Sequence, residues 1–316
     1  MDDKKLLSFV IPCYRSEKTI GSVVDEINSA MEKLSGYDHE IILVNDCSPD
    51  GTMDVIKEIC SRDKCVTGID FARNFGQHSA LMAGLRQTRG DIVICLDDDG
   101  QTPADEAHLL IEALEDGADA CYARYMVKEH SQFRNFGTFL NEKMAEFMLE
   151  KPKELYVSSY FAVKRYIVND MIRYENSYPY VIGLVLRTTR NIVNVDISHR
   201  KRMVGNSGYT FSKLLGLWLN GFTSFSIKPL RVATIIGALS AFCGFIYGIV
   251  VIVQKFVLPD RVLGFSSLMA MLIFFGGMIM IMLGLIGEYV GRIYISMNNS
   301  PQYVIKEIIS PNNEKK

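Results

Sequence analysis

The sequence lacks several patterns that mark common classes of protein. None of its seven cysteines forms a Cys-x-x-Cys pair, so the spacings of zinc sites and dithiol redox motifs are absent. The net formal charge is -2, without the basic excess that nucleic-acid-binding proteins usually carry. No Gly-x-Gly-x-x-Gly run follows the first apolar segment, which disfavours a dinucleotide site of the usual kind. We therefore expect reduced thiols and no nucleic-acid partner.

A secretory signal is also missing from the start of the sequence. The first five residues are mostly charged, and the apolar run over residues 6–11 is too short for the hydrophobic region of a signal peptide. Unpaired cysteines are typical of reducing compartments. Both observations predict that the polar part of the chain faces the cytosol.

Two long apolar runs near the C-terminus predict membrane-spanning helices within residues 229–295. Residues 230–253 contain one charged side chain, Arg231, and residues 264–287 contain none. Each run exceeds the ~20 residues that a helix needs to cross a hydrocarbon core. The short connection between them permits only a hairpin, so both ends of the pair lie on one side. The alternative is two buried helices of a soluble protein; the small residues in both runs also permit a homo-oligomer.

The segments on either side of this hairpin have their own character. Within residues 210–228, apolar side chains recur at helical spacing, which predicts an interfacial helix in contact with membrane lipids. An amphipathic helix packed on the soluble domain is the alternative. Residues 296–316 are predicted to form a cytosolic tail whose polar end, from Ser310, is frayed.

Residues 1–209 show the alternation of strands and helices that is typical of βαβ units. Short apolar runs predict strands over residues 6–12, 40–44, 67–71, 91–96 and 118–122. Helical patterns predict helices over residues 18–34, 52–61 and 76–88. The expected fold class is α/β, with a mostly parallel sheet and helices on both faces. Ligands of such sheets bind beyond the carboxyl ends of the strands.

An acidic cluster follows one of these strand ends. Asp97, Asp98 and Asp99 stand directly after the predicted strand 91–96. Neighbouring carboxylates repel one another, and a divalent cation relieves that repulsion; oxygen ligands of this kind suit Mg²⁺ or Mn²⁺. If the backbone stays extended, Asp97 and Asp99 share a face and Asp98 points elsewhere. A solvated acidic turn at a helix start is the alternative.

Five motifs in this order resemble those of a known enzyme family. They are VIPCYRSE at 10–17, VNDCSPDGT at 44–52, ARNFGQHSALMAGL at 72–85, DDDGQTP at 97–103 and GEYVGRIY at 287–294. The series is similar to the family 2 glycosyltransferases with the Rossmann-like GT-A fold. Within that family it resembles the bacterial polyprenyl-phosphate (bactoprenol) glucosyltransferases and the dolichol-phosphate mannose synthases.

The resemblance implies roles for individual residues. Pro12 and Tyr14 would border the nucleotide, with Asp46 accepting a hydrogen bond from the base and Glu17 replacing the family's Asn-Glu pair. The family's Asp-x-Asp motif maps to Asp97 and Asp99, and Gln101 would complete this catalytic, metal and diphosphate site. Four residues would bind the diphosphate and the acceptor phosphate: Arg124, His199, Arg202 and Ser207. For this basic stretch, attraction to anionic lipid headgroups is an alternative.

One departure from the family pattern affects the acceptor side. Phe161 stands where relatives carry an arginine, and Lys164 and Arg165 are the nearby candidates to supply that charge.

The resemblance also implies a function. It is the inverting transfer of a hexose, glucose from UDP-glucose, to polyprenyl (undecaprenyl) phosphate at the cytosolic face of the inner membrane, for modification of cell-surface glycans. The implied cofactor is Mg²⁺ or Mn²⁺. A processive polysaccharide synthase is one alternative, although no Gln-x-x-Arg-Trp element is present. A non-enzymatic membrane assembly protein is the other.

Overall fold

The computed structural model describes residues 4–125, 146, 151–198, 200, 228–257, 265–298 and 300–310. The strands are β1 (Lys5–Cys13), β2 (Tyr37–Asn45), β3 (Val66–Phe71), β4 (Ile92–Cys95), β5 (Ala120–Tyr125), β6 (Phe161–Lys164), β7 (Ile192–Ile197) and β8 (Ile305–Ile309). The helices are α1 (Ile20–Met31), α2 (Thr52–Arg62), α3 (Gln77–Gln87), α4 (Ala107–Glu115), α5 (Arg165–Met171), α6 (Val181–Thr188), α7 (Lys228–Val257) and α8 (Phe265–Met297).

The strands of the described chain form a single mixed sheet. Their order is β7-β5-β6-β4-β1-β2-β3-β8. β1 pairs in parallel with β2 and β4, β2 pairs in parallel with β3, and β5 pairs in parallel with β7. The antiparallel members are β6, between β4 and β5, and β8, at the edge beside β3. The predicted α/β fold with a mostly parallel sheet is confirmed.

Apolar layers cover both faces of this sheet. One layer packs side chains of α1, α2 and α4 against the strands, and the other packs α3, α5 and α6. The central strands are therefore continuous apolar runs rather than alternating ones, as expected of parallel strands buried on both faces. This double cover leaves the carboxyl edge of the sheet as the place where polar side chains can converge.

Helix α3 packs so closely on β1 and β2 that Gly84 leaves no room for a side chain. A Cβ at this position would lie 2.4 Å from Val10 Cγ1 and 3.3 Å from Val44 Cγ2. We expect Gly84→Ala to lower the free energy of unfolding by about 1–3 kcal/mol, because overpacking displaces α3. Gly21→Ala on α1 is the matched control: nothing lies within 4 Å of its Cβ, so alanine should be neutral or slightly stabilising. Denaturant unfolding of both variants measures the difference, and equal stability would contradict the close packing.

The C-terminal helices α7 and α8 have the composition of membrane spans. Apolar windows of mean hydropathy 2.0 and 2.1 cover Lys228–Val250 and Met271–Ile295, and none of either window is buried inside the protein. The two helices contact each other, for example where a Cβ on Gly237 would lie 3.2 Å from Met282 Cε. The structure thus agrees with the predicted pair, although both helices extend beyond the predicted runs. The proposed interfacial segment lies outside the described residues, except for Lys228 at the start of α7.

After α8 the chain returns to the sheet, which the sequence did not predict. β8 pairs antiparallel with β3, and Lys306 Nζ lies 3.1 Å from the buried Asp70 carboxylate. Just before β8, the Tyr303 ring stacks on Phe71 with centroids 5.2 Å apart. The segment expected to be a peripheral tail therefore contributes the edge strand of the sheet. The sequence of β8 has only five residues, too few to distinguish a strand from a polar tail unless the pairing with β3 is known.

Candidate active site

A cavity of about 600 Å³ opens at the carboxyl edge of the sheet. Its lining comes from the ends of β1, β2 and β4, the start of α3, Ser159 and the loop before α6. The strand ends meet here because parallel strands share one carboxyl edge. The volume is in the range of pockets that hold small organic ligands.

Three carboxylates form the floor of this cavity. Asp97 accepts hydrogen bonds from Gln77 Nε2 at 2.9 Å and from the Ser159 hydroxyl. Asp98 accepts one from the Tyr14 N–H at 2.9 Å. Asp99 accepts one from the Gln101 N–H at 3.0 Å.

The expected alternation of these carboxylates does not apply. β4 ends at Cys95, two residues before Asp97, so the chain is no longer an extended strand here. All three aspartates line the cavity, including Asp98, which was expected to point elsewhere.

The donor chemistry of this floor fits a divalent cation. Burial raises the pKa of Asp97 to about 6, and the charges of Asp99 and Asp98 add to this effect. A bound cation would relieve both penalties, and carboxylate oxygens are its preferred ligands. Within the described part of the chain, no group of three or more His, Cys, Asp or Glu side chains is arranged to hold an ion. The protein thus offers a partial shell, of the kind that substrate phosphates and waters complete around Mg²⁺.

Asp46 organises the turn that leads into α3. Its two carboxylate oxygens accept hydrogen bonds from the N–H groups of Phe75 at 2.7 Å and Gly76 at 2.8 Å. Gly76 has a φ of 90°, which a residue without Cβ adopts readily. The turn brings Gln77 and His78 to the cavity. Asp46 therefore lies at the site with a structural role, and its contact with a base stays a prediction.

Pro12 and Tyr14 line the cavity, whereas Glu17 does not; the contact of Pro12 and Tyr14 with a nucleotide stays a prediction. The Tyr14 ring is 46 % exposed, and the Arg15 guanidinium lies 5.6 Å from its centroid. Glu17 instead accepts a hydrogen bond from the Gly51 N–H at 3.2 Å and so braces the turn after β2. The cavity thus contains two of the three residues predicted from the first motif.

Of the residues predicted to bind phosphate besides the acidic cluster, two do not line the cavity and three lie outside the described residues. Arg124 donates to both oxygens of Asp196, at 2.6 and 3.0 Å, and does not line the cavity. Gln101 also does not line it, although its N–H reaches Asp99. His199, Arg202 and Ser207 lie outside the described residues.

Lys164 and Arg165, the candidates to replace the arginine that relatives carry at position 161, lie at the amino edge of the sheet, away from the cavity. Phe161, at the start of β6, is buried beside Tyr122 with ring centroids 5.4 Å apart. Because β6 is antiparallel to β4, Lys164 at its end pairs with Ile92, at the amino edge. Arg165 Nε donates to the Gly90 oxygen at 2.6 Å, also away from the cavity. Neither residue can supply charge to this site.

Several cavity residues were not predicted from the sequence. Gln77 and Ser159 hold Asp97 by hydrogen bonds. The His78 ring meets Tyr180 edge-on at 5.1 Å, and burial lowers the pKa of His78 to about 4, so it is neutral at pH 7. Gln77 and His78 belong to a motif that was recognised, but nothing in the sequence marks the loop Ser177–Tyr180 as a cavity wall.

The mostly parallel sheet with a carboxylate floor at its carboxyl edge is the architecture of a GT-A glycosyltransferase. The family model "Glycosyl transferase family 2" matches residues 8–172, and the "GtrB C-terminal hairpin" model matches residues 228–293. The chain belongs to glycosyl transferase family 2, with the C-terminal hairpin of the GtrB type.

Curated relatives are similar over nearly the whole chain. The undecaprenyl-phosphate 4-deoxy-4-formamido-L-arabinose transferase of Pectobacterium atrosepticum is 32% identical over 313 residues, which cover 98% of this chain and 95% of the relative. The SfII prophage-derived bactoprenol glucosyl transferase of Shigella flexneri is 34% identical over 308 residues, 95% of this chain and 97% of the relative.

A solved structure confirms the GT-A fold. Glucosyl-3-phosphoglycerate synthase from Mycobacterium tuberculosis, in complex with Mn²⁺ and uridine-diphosphate-glucose, superposes with a TM-score of 0.52 and 19% sequence identity. The match covers 74% of this chain and 78% of that one.

Proposed function

We propose that this protein is a membrane-anchored, metal-dependent glycosyltransferase that moves glucose from UDP-glucose to undecaprenyl phosphate. The reaction would occur at the cytosolic face of the inner membrane, by a single displacement with inversion. The observation that carries the proposal is the carboxylate-floored cavity on a sheet that also includes the chain returning from an apolar hairpin. That combination suits a polar donor and an acceptor whose tail stays in lipid.

The names of the relatives support undecaprenyl phosphate as the acceptor but do not identify the sugar. One is a transferase named for undecaprenyl phosphate and the other for bactoprenol, but the sugars in their names differ. The synthase with the same fold holds Mn²⁺ and UDP-glucose in its crystal structure, which supports a UDP-sugar donor and a divalent cation.

The topology of the sheet supports a hairpin that enters the membrane from one side. Strands β1 to β7 precede α7, and β8 follows α8, yet all belong to one sheet. Both ends of the helix pair are therefore tied to the same domain. The six cysteines of that domain are free, which agrees with a cytosolic position.

The residues of the cavity would have different roles in the proposed reaction. Pro12 and Tyr14 would border the nucleotide, and Asp97 and Asp99 would hold the cation. When bound, that cation would neutralise charge on the departing diphosphate. Gln77 and Ser159 fix the orientation of Asp97, so that the site is ordered before substrate arrives.

The proposed acceptor needs little activation. A phosphate monoester has a second pKa of ~6, so its oxygen is already largely ionised at neutral pH. The reaction therefore does not require a dedicated general base, unlike transfer to a hydroxyl group.

Transfer to a lipid can be measured directly. We expect the purified full-length protein, given undecaprenyl phosphate and a panel of radiolabelled nucleotide-sugars, to move label into the organic phase, with UDP-glucose the best donor. Undecaprenol without its phosphate is the matched control and should accept no label. Label in an insoluble polymer would favour a processive synthase, and no transfer from any donor would contradict the proposal.

A further inference from the structure

The chain between α8 and β8 passes the edge of the cavity. We call residues 300–304 the post-membrane strap. β8 runs antiparallel to β3, so its first residue, Ile305, lies beside Phe71, at the carboxyl edge where the cavity opens. The strap begins three residues after Met297, the last residue of α8. It therefore spans the short distance between the end of the hairpin and the site.

The strap holds the loop that forms one wall of the cavity. Gln302 Nε2 donates to the backbone oxygens of Tyr174 and Asn176, both at 2.9 Å. The Ser177 hydroxyl donates to the Ser300 oxygen at 2.7 Å. The loop then continues into Tyr178, Pro179 and Tyr180, which line the cavity together with Ser177. The side chain of Gln302 thus fixes the backbone directly before this wall.

The strap is itself fastened to the sheet. The Tyr303 ring stacks on Phe71 with an angle of 7° between the ring planes. The Ala72 N–H donates to the Val304 oxygen at 2.9 Å. Gln302 is only 7% exposed, so its hydrogen bonds are shielded from water. A continuous set of contacts therefore runs from β3 through the strap to the wall.

The position of this wall points to the acceptor rather than the nucleotide. The residues that would border the nucleotide, Pro12 and Tyr14, lie at the carboxyl end of β1, whereas the wall is bonded to the chain that leaves the hairpin. A lipid phosphate, held by its tail in the bilayer, must approach at the height of that hairpin end. Holding a reactant at a fixed height and orientation is an effective way to promote its reaction.

We propose that Gln302 is a positioning residue for the lipid-phosphate acceptor, acting through the strap on the wall Ser177–Tyr180. This inference rests on the proposed function, since it assumes a phosphorylated lipid as the acceptor. It assigns part of the active-site geometry to a segment that lies beyond the membrane helices in the sequence.

Kinetics of Gln302→Glu test the proposal. The substitution keeps the shape of the side chain, but a carboxylate cannot donate to the two carbonyl groups and repels them. We expect the KM for undecaprenyl phosphate to rise about tenfold, because buried hydrogen-bonding groups lose their partners. The KM for the nucleotide-sugar should change little. Ser177→Ala removes the bond to Ser300 together with a hydroxyl at the cavity wall. It should raise the same KM by a smaller factor, and it is the second variant if Gln302→Glu folds poorly.

Glu307→Gln, on the adjoining strand β8, is the matched control. It removes the ion pair between Glu307 and Lys57, whose charged groups lie 3.1 Å apart with both side chains 48% exposed. Exposed pairs of this kind contribute little, so both KM values should stay at the wild-type level. An equal rise of both KM values in Gln302→Glu would overturn the acceptor assignment, as would unchanged kinetics.

Hydrogen exchange of the full-length protein in lipid nanodiscs separates this proposal from the proposed function. In Gln302→Glu, the amides of residues 174–180 should exchange faster than in the wild type, and in Glu307→Gln they should not. Absence of transfer to polyprenyl phosphate by the wild type would refute the function and the acceptor role together. If the wild type is active but the amides of residues 174–180 exchange at the same rate in all variants, only the positioning role of Gln302 would be refuted.

Discussion

Replacement of Asp99 by alanine is expected to reduce sugar transfer by about a thousandfold or more, because a metal ligand at the diphosphate is worth several kcal/mol of transition-state stabilisation. Asp99 lines the cavity beside Asp97 and is only partly buried, so its loss should leave the fold intact. Initial rates of lipid-linked product formation, with the unfolding midpoint measured in parallel, check both expectations.

Asp116→Asn is the control for this substitution. It removes one negative charge from an exposed aspartate at the end of α4, outside the cavity. Its transfer rate should equal that of the wild type. Undiminished activity of Asp99→Ala would instead mean that the acidic floor is not the catalytic centre.

Removal of divalent cations is expected to stop transfer, and Mn²⁺ or Mg²⁺ is expected to restore it. The reason is electrostatic: Asp97, Asp98 and Asp99 would otherwise face the negative diphosphate across the same cavity, and like charges repel. Treatment with a chelator, followed by titration of each metal, measures the dependence. Full activity in excess chelator would contradict the cation site.

The affinity for UDP provides a second readout of the same effect. Calorimetry of the wild type should show UDP binding that weakens strongly when the metal is removed. Asp97→Asn should require a higher metal concentration for the same affinity, because one charged ligand becomes neutral. If UDP bound equally well with and without metal, the carboxylates would have another role.

The N-terminal half of the sheet could be predicted closely from the sequence. The predicted strand 91–96 corresponds to β4, Ile92–Cys95, and the predicted helix 76–88 corresponds to α3, Gln77–Gln87. Strands buried on both faces leave continuous apolar runs, and polar turns separate them from the helices. Local patterns of this kind contain the information that a single sequence can supply.

Elements that depend on distant partners could not be predicted. β8 pairs with β3 across more than two hundred residues, and β6 is placed by contacts with β4 and β5. The same limit explains the error at Lys164 and Arg165: only the antiparallel direction of β6 shows that they lie at the amino edge. Spacing along the chain does not reveal strand direction.

The candidate site was predicted where it follows strand ends. Asp97, Asp99, Pro12, Tyr14 and Asp46 share one cavity because β1, β2 and β4 are neighbours with the same direction.

Three other predicted residues, Glu17, Gln101 and Arg124, do not line that cavity. Glu17 is turned to the Gly51 N–H, and Arg124 forms an ion pair with Asp196 on the adjacent β7. A residue type in a motif predicts chemistry, but its partner in space decides whether that chemistry is available.

The return of β8 to the sheet has a consequence for biogenesis. During translation, β1 to β7 leave the ribosome first, then both hydrophobic helices, and β8 last. Until then the backbone of β3 presents an open edge, which is a known route to aggregation. A nascent chain whose hairpin has not been inserted, or a product that stops before residue 305, keeps that edge unpaired. Completion of the enzyme domain is thereby coupled to completion of its anchor.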